Sequence, residues 1–284
     1  MSKKIQITCD STCDMPLALR EKYDIAVLPM VVTLGEDSYK DGVDVACEDL
    51  FSYVDATGKL PKTSAISIYE FDQFFSQYVE QGMQVIHISL SSELSSTYQN
   101  ACIAAEEVGN VYVIDGRSLS AGSSLLALMA REMADTGMEA AEIADAVNRA
   151  REQLDVSFVL QTLEYLHKGG RCSGVAAFGT NVMKLRPEIQ VKDGKMDVGR
   201  KYRGSLEKSV LAYVKGCLEG RQDVDTKRAF VIHTGLTQEV LDKICGLVKE
   251  LQPFEEIIVG TAGCTITSHC GPNCMGVLFM KKEA

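Results

Sequence analysis

The sequence predicts an α/β protein of two domains: an N-terminal domain with a parallel sheet, residues 1–156, and a C-terminal α+β domain with a mainly antiparallel sheet, residues 157–284. In the first half, short β-rich runs alternate with helical patterns, which is typical of βα units. In the second half, a tight-turn dipeptide separates two alternating runs, which indicates an antiparallel pair. With 284 residues, 46% of them hydrophobic, the chain is long enough for two cores.

Four runs in the first half have the composition of buried strands. They are KIQIT (4–8), IAVLP (25–29), QVIHISL (84–90) and VYVID (111–115). Apolar residues recur at helical spacing over 94–108, between the last two strands, and again over 125–133. This order predicts a doubly wound parallel sheet.

The second half carries its own strand and helix signals. SFVLQT (157–162) is strand-like and is followed by a helical stretch, and Asp193-Gly194 within 187–204 predicts a two-residue hairpin. The runs AFVIHTG, EEIIVGT and GVLFM are predicted strands that frame helices over 205–220 and 237–251. No Pro- or Ser-rich linker marks the domain boundary.

Charge and composition exclude several classes of function. A net charge of −10 opposes attraction to phosphate backbones, so nucleic acid is not an expected partner. The N-terminal MSKKIQITCDSTCD lacks the apolar core of a signal peptide, and no run reaches transmembrane length. We therefore expect a cytoplasmic protein with at most transient membrane contact and ten reduced cysteines.

Three polar loops each follow a predicted strand and precede a predicted helix: Asp10–Asp14, Ser91–Thr97 and Asp115–Ser123. Parallel sheets bind ligands beyond the carboxyl ends of their strands, so these loops are candidates for one site. Two segments at predicted helix starts are also rich in Ser and Thr: TSAIS (63–67) and ISLSSELSST (88–97). Such hydroxyls either cap the helix or help its N-terminus bind an anion.

Six segments, in order and spacing along the whole chain, resemble the DegV family. They are CDSTCDMP, TSAIS, SSELSSTYQNA, IDGRSLSAGS, LEYLHKGGR followed by a helical stretch, and SHCGPNCMGVLF. The resemblance implies a two-domain protein that holds a long-chain fatty acid between its domains. In the family's fatty acid kinase B subunits, the bound acid is presented to a separate ATP-dependent kinase, which forms an acyl phosphate for phospholipid metabolism. It implies a lipid carrier with no catalytic residue, no metal and no cofactor.

The resemblance also assigns site residues by position. The family's carboxylate-binding residues correspond to Thr63, Ser95 and His269. Expected neighbours in the pocket are Ser64, Ile66, Ser96 and Gly271. The chain departs from the family pattern at Ala65-Ile66, at Ser96 and at Asn273, where relatives have Gly. The change at Asn273 is expected to be mild because Asn tolerates a left-handed backbone. The changes at Ile66 and Ser96 bear on chain-length preference or headgroup geometry.

Five cations are concentrated in two segments of this acidic chain: Lys168, Arg171, Arg200, Lys201 and Arg203. In the family, arginines at such positions are associated with the kinase, so Arg171 and Arg203 are the expected docking residues. A solvated basic surface is the alternative.

The sequence is also compatible with two other function classes. A serine hydrolase would use Ser95 and His269, but ELSST lacks the G-x-S-x-G elbow. A metal or redox protein would use Cys264, Cys270 and Cys274 with His269, but their spacing is not the paired C-x₂-C pattern of zinc sites, and buried cysteines behave as small hydrophobes.

Four further residues have predicted roles outside these classes. His87 and His233 are expected to be structural because they lie in or at the end of strands, and His167 is expected to be solvated in the HKGGR loop. Asp14 either shapes the first loop or caps the helix that follows it.

Overall fold

A computed structural model describes residues 4–172 and 185–283. The chain divides into two units, Met1–Glu152 with Gly263–Thr265, and Gln153–Ala262 with Ile266–Ala284. The first unit therefore includes three residues from near the end of the chain.

The first unit combines a parallel sheet, a small antiparallel sheet and helices. In chain order its elements are β1 (Ile5–Asp10), α1 (Leu17–Lys22), β2 (Ile25–Leu28), β3 (Val31–Leu34), β4 (Asp37–Lys40), α2 (Cys47–Thr57), β5 (Lys62–Ser64), α3 (Ile68–Val79), β6 (Gln84–Ser89), α4 (Thr97–Val108), β7 (Val111–Asp115), α5 (Ala121–Asp135) and α6 (Ala140–Ala150). In the described residues, the parallel sheet has the order β2-β1-β6-β7, which confirms the four predicted strands. All six residues of β1 are buried, as expected for a parallel strand covered on both faces.

The antiparallel sheet, of order β4-β3-β5, was not predicted. Its strands are three or four residues long, and three of the four residues of β4 are exposed. Such short strands carry too few residues for an alternating pattern to be recognised.

His87 of β6 is a core residue, as the sequence predicts. It is fully buried, and its ring lies edge-on to Phe71 and Phe75, at centroid distances of 5.2 and 5.3 Å. The Thr8 hydroxyl and His87 Nδ1 are hydrogen-bonded at 2.9 Å. Burial lowers the pKa of His87 to about 3, so the imidazole is neutral in the folded protein.

The second unit is built on one mixed sheet. Its elements are β8 (Leu154–Val159), α7 (Glu164–Gly169), β9 (Leu185–Lys192), β10 (Lys195–Arg203), α8 (Leu206–Leu218), β11 (Val224–His233), α9 (Gln238–Leu251), β12 (Glu256–Thr261), α10 (Cys264–Cys270), whose first two residues group with the first unit, and β13 (Met275–Lys281). The strand order within the described ranges is β10-β9-β8-β13-β11-β12. Its one parallel pair there is β11 with β12, which confirms a mainly antiparallel sheet.

The hairpin of β9 and β10 turns at the predicted dipeptide. Asp193 and Gly194 both have positive φ, 49° and 79°, as a type I′ turn requires. The strand predicted over 157–162 is β8, which begins three residues earlier. The helical stretch expected after LEYLHKGGR falls within 173–184, outside the described residues.

Tyr213 ties the core of the second unit to its sheet. Its hydroxyl donates to the Ser157 carbonyl of β8 at 2.7 Å and accepts the Val277 backbone N–H of β13 at 3.0 Å. Burial raises the pKa of Tyr213 well above its ordinary value, so the phenol stays protonated and keeps both bonds.

Among the helices of the described ranges, none is both long enough and apolar enough to cross a membrane.

Candidate functional site

Polar loops follow the carboxyl ends of β1, β6 and β7, and the structure brings them together as predicted. The Asp10 carboxylate accepts the Leu90 backbone N–H at 2.7 Å, and the Asp115 carboxylate accepts the Ser92 hydroxyl at 2.6 Å. Burial raises the pKa of Asp10. Each carboxylate bonds to a neighbouring loop, so both hold the loops of this sheet edge in place.

Asp14 shapes the first loop; the alternative prediction, that it caps α1, is wrong. The residue before α1 is Pro16, and no side chain caps that helix. The Asp14 carboxylate instead accepts the Ser120 hydroxyl at 2.5 Å and the Gly263 backbone N–H at 2.7 Å. Burial raises the pKa of Asp14 well above its ordinary value.

A further buried carboxylate, Asp41, was missed by the sequence analysis. It accepts the backbone N–H groups of Cys264 and Thr265 at 2.7 and 3.1 Å, and the Ser11 hydroxyl at 2.9 Å. The Ser11 oxygen in turn accepts the Met30 N–H at 3.0 Å. Cys264 lies 223 residues after Asp41, so no local pattern could have revealed this pairing.

The segment that carries Thr63 is joined to the start of α4. Thr63 is half-buried in β5 opposite Val32, while Ser64 is exposed. Ile66 is fully buried, and its carbonyl accepts the Asn100 side-chain amide of α4 at 2.7 Å. Residue 66 therefore has a packing role as well as its expected place near the pocket.

Hydroxyls at the starts of α3 and α4 are hydrogen-bonded to backbone N–H groups of the helices. Ser67 and Glu70 form a capping box on α3, with bonds of 3.2 and 2.9 Å. Ser95 Oγ accepts the Thr97 backbone N–H at 3.2 Å and is hydrogen-bonded to the Thr97 hydroxyl at 2.9 Å. Ser96 is exposed and makes no side-chain cap bond. Ser95 is thus held at the N-terminus of α4, where the helix dipole favours a negative charge.

The end of α10, which carries His269, and the residues that follow it fit closely against α7. A Cβ on Gly169 would lie 2.5 Å from His269 Nδ1, and a Cβ on Gly271, where φ is +71°, would lie 2.7 Å from the Tyr165 ring. Burial, and to a smaller extent the nearby Arg171, lowers the pKa of His269 to about 4. The glycines of HKGGR and HCGPN allow these two motifs to pack together and hold a neutral imidazole.

Thr234 fixes the turn after His269. Its hydroxyl donates to the Gly271 carbonyl and accepts the Cys274 N–H, both at 2.8 Å. Asn273, where the family pattern has Gly, adopts φ of +53°, and its N–H donates to the Thr234 carbonyl at 2.6 Å. Asn tolerates this left-handed backbone, so the departure leaves the turn intact.

The other histidines agree with their predicted roles. His233 is half-buried, its Nδ1 accepts the Leu236 backbone N–H at 3.2 Å, and burial lowers its pKa. His167 is exposed, although it lies in the last turn of α7 and not in a loop.

The five cations of the two basic segments are all exposed. Lys168 forms an ion pair with Glu164 at 2.7 Å, and Arg200 donates to a backbone carbonyl of α8 at 2.7 Å. Arg171 follows α7, and Arg203 ends β10. The role of Arg171 and Arg203 in docking stays a prediction.

Two residues named for the alternative function classes, Ser95 and Cys264, make hydrogen bonds within the first unit. Ser95 is engaged with Thr97, as described above. The Cys264 thiol is hydrogen-bonded to the Cys47 thiol. Over residues 4–172 and 185–283, no three His, Cys, Asp or Glu residues are grouped to hold a metal ion.

Comparison with known proteins gives matches over almost the whole chain. A family model described as "Uncharacterised protein, DegV family" matches residues 4–282. A fatty acid-binding protein of Thermotoga maritima is 31% identical over 280 residues, which are 96% of each chain.

Solved structures agree with these matches. A DegV family protein from Thermus thermophilus, described by its fatty acid binding, has a TM-score of 0.87 and 29% identity over 98% of this chain and 99% of that one. A stearic acid-binding protein from Eubacterium ventriosum has a TM-score of 0.86 and 27% identity over 99% of each chain. By sequence over its length and by fold, this chain belongs to the DegV family.

Proposed function

We propose that this protein binds a long-chain fatty acid, whose carboxylate accepts hydrogen bonds from Thr63, Ser95 and His269. The observation that carries the proposal is the match along nearly the full chain to relatives described as fatty acid-binding. The chemistry of the three side chains supports it, because a carboxylate taken out of water needs several donors. Ser95 also lies at the N-terminus of α4, where the helix dipole stabilises a negative charge such as the carboxylate.

The protonation state of His269 suits this role. With a pKa of about 4, the imidazole is neutral at pH 7 and carries one N–H donor. The negative charge of the ligand is therefore met by dipoles and hydrogen bonds. Arg171, which contributes to lowering the pKa of His269, adds a nearby positive charge.

Tail and headgroup contribute differently to affinity. At about 0.8 kcal/mol per buried CH₂, a palmitate-sized tail supplies on the order of 10 kcal/mol before costs. Each charge-assisted hydrogen bond contributes about 1.5–3 kcal/mol. The tail therefore sets affinity, and the headgroup contacts set orientation.

The test is to purify the full chain, extract it with organic solvent and identify the lipid by mass spectrometry. We expect a long-chain fatty acid at about one per chain, and about 10–100-fold weaker binding by the Thr63→Val, Ser95→Ala and His269→Ala variants, the loss of one charge-assisted bond each. Ser52→Ala and His167→Ala are matched controls, because both residues are exposed on other helices.

Different results would refute fatty-acid binding and the assignment of the headgroup residues. Folded protein that is recovered empty from lipid-containing cells, and that does not bind added palmitate, refutes fatty-acid binding. Wild-type affinity in all three site variants refutes the headgroup assignment alone.

We propose further that the bound carboxylate is presented to a separate ATP-dependent fatty acid kinase, so that this protein is a carrier and not the catalyst. Arg171 and Arg203 support this, because both are exposed cations in a chain of net charge −10. Complementary charge between partners governs encounter and register.

Reversing these charges should distinguish fatty-acid binding from presentation of the bound carboxylate to the kinase. Arg171→Glu and Arg203→Glu should lower the rate of acyl phosphate formation by the partner kinase, and more so at low salt, because exposed charges are screened beyond about 10 Å at 0.1 M. Fatty-acid affinity of Arg203→Glu should be unchanged. Lys249→Glu, an exposed reversal on α9, is the control. Unchanged phosphorylation in both arginine variants would leave them as a solvated surface.

A further inference from the structure

An open pocket of about 380 Å³ lies in the first unit, between the segment after β4 and the start of α10. Residues 41–47, Asp49, Gly263 and Cys264 line it. Cys47 is half-buried and Cys264 is buried, so one thiol reaches the pocket more freely than the other.

The two thiols are in contact and their positions are fixed. The side chains of Cys47 and Cys264 are hydrogen-bonded to each other. The Cys264 thiol also lies 3.4 Å from the Val45 carbonyl, to which it donates, and the Cys264 backbone N–H is held by Asp41 at 2.7 Å. Both cysteines pack in one apolar cluster with Leu50 and its neighbours.

We propose that Cys47 and Cys264 form an oxidisable dithiol, which hydroperoxides convert to a disulfide. Both are free cysteines in this structure. The proposal concerns a modification site in the first unit and does not depend on fatty-acid binding.

The disulfide forms in two steps, through a sulfenic acid on Cys47. The Cys47 thiolate attacks the terminal oxygen of ROOH, the S–O bond forms as the O–O bond breaks, and ROH leaves after taking up a proton. The Cys264 sulfur then attacks the sulfenic sulfur of Cys47, the S–S bond forms, and hydroxide leaves as water with the thiol proton of Cys264. The two sulfurs together lose two electrons, and the peroxide gains them.

The surroundings decide the order of attack and the type of oxidant. Cys47 is the first residue of α2 and is half-buried, so an oxidant in the pocket meets its sulfur before the buried sulfur of Cys264. The contact with Cys47, together with burial, raises the pKa of the Cys264 thiol, so Cys264 reacts second. The exposed residues Asp44 and Asp49 line the pocket, and their negative charge favours a neutral hydroperoxide over an anionic disulfide such as oxidised glutathione.

The same unit contains an internal control. Cys9 and Cys13 are also hydrogen-bonded to each other, but both are fully buried. Thiol contact without access should not lead to oxidation in the folded protein, since the oxidant must reach the sulfur. The two pairs therefore separate the effect of access from that of contact.

The experiment treats the purified full chain with hydrogen peroxide, blocks remaining thiols by alkylation and maps peptides by mass spectrometry. We expect a Cys47–Cys264 cross-linked peptide that is 2 Da lighter than the two thiol peptides together, with Cys9 and Cys13 unlinked. The melting temperature should rise by several degrees, because the bond closes a long loop in the unfolded chain. Cys264→Ser should stop at a Cys47 sulfenic acid trapped by dimedone, and Cys47→Ser should leave the Cys264 thiol reduced.

Other outcomes overturn the proposal. Cross-linking of Cys9 with Cys13 to the same extent would show that oxidation follows unfolding. Continued alkylation of Cys47 after peroxide treatment would show that its thiol does not react. Persistence of a Cys47 sulfenic acid in the wild-type chain would show that Cys264 does not resolve it.

Discussion

Replacing Asp41 with Ala should lower the free energy of unfolding by about 3–5 kcal/mol, because several buried donors lose one shared acceptor. The donors are the backbone N–H groups of Cys264 and Thr265 and the hydroxyl of Ser11. Water does not reach this buried carboxylate freely, so solvent does not replace the lost bonds. Urea unfolding followed by circular dichroism measures the loss.

A neighbouring residue provides the control for this prediction. Asp44 is exposed and accepts one backbone N–H, that of Lys40, at 3.2 Å. Asp44→Ala should therefore cost less than about 1 kcal/mol. Asp41→Asn keeps one acceptor oxygen and should fall between the two, which also provides a folded variant if Asp41→Ala does not fold. Equal stability of the two Ala variants would contradict the role assigned to Asp41.

Acidification from pH 7 to pH 4 should remove about 3 kcal/mol of stability through His87 alone, at about 1.4 kcal/mol per pH unit below the unfolded pKa. The folded pKa is about 3, against 6.5 for an ordinary histidine, so in this range the unfolded chain binds the proton and the folded chain does not. The free energy of unfolding therefore falls as the pH falls from 6.5 towards 3. Nε2 has no hydrogen-bond partner within the described residues, so protonation would bury an uncompensated charge.

The measurement must isolate His87 from other groups. The lowered pKa values of His233 and His269 act in the same direction. The raised pKa values of Asp10 and Asp14 act in the opposite direction, because these carboxyls bind protons more readily in the folded chain.

The decisive comparison is therefore the pH slope of unfolding in His87→Asn against the wild type. The variant should have a slope smaller by about 1.4 kcal/mol per pH unit between pH 4 and 6. Ile86→Val, a packing change on the same strand that keeps the imidazole, should retain the wild-type slope. An unchanged slope in His87→Asn would show that His87 does not couple folding to pH.

The elements that could be predicted are those whose pattern is long and local. β6 and β7 were found to within a residue because buried β-branched runs stand between clear breaks. The hairpin turn was found because Asp193-Gly194 has a conformational preference of its own. The proximity of the three polar loops could be predicted because the carboxyl ends of parallel strands lie at the same edge of a sheet.

The remaining features depend on pairs of residues that are distant in sequence. His269 can lie close to Gly169 because glycine has no Cβ. A single glycine in a sequence does not reveal which residue approaches it. The bond between Asp41 and Cys264 joins two unremarkable positions. Thr63, Ser95 and His269 were selected by family resemblance, because hydroxyls at helix starts equally predict caps.

Because Gly263–Thr265 belong to the first unit, this unit cannot be completed early in protein synthesis. Asp14 and Asp41 leave the ribosome 249 and 223 residues before their backbone partners Gly263 and Cys264. At typical translation rates this interval is roughly 10–50 s. During it, the two carboxylates stay hydrated and the polar centre of the first unit is incomplete. The unit that is begun first therefore cannot be completed until most of the second unit has been made, because Gly263–Thr265 follow residues 153–262 in the chain.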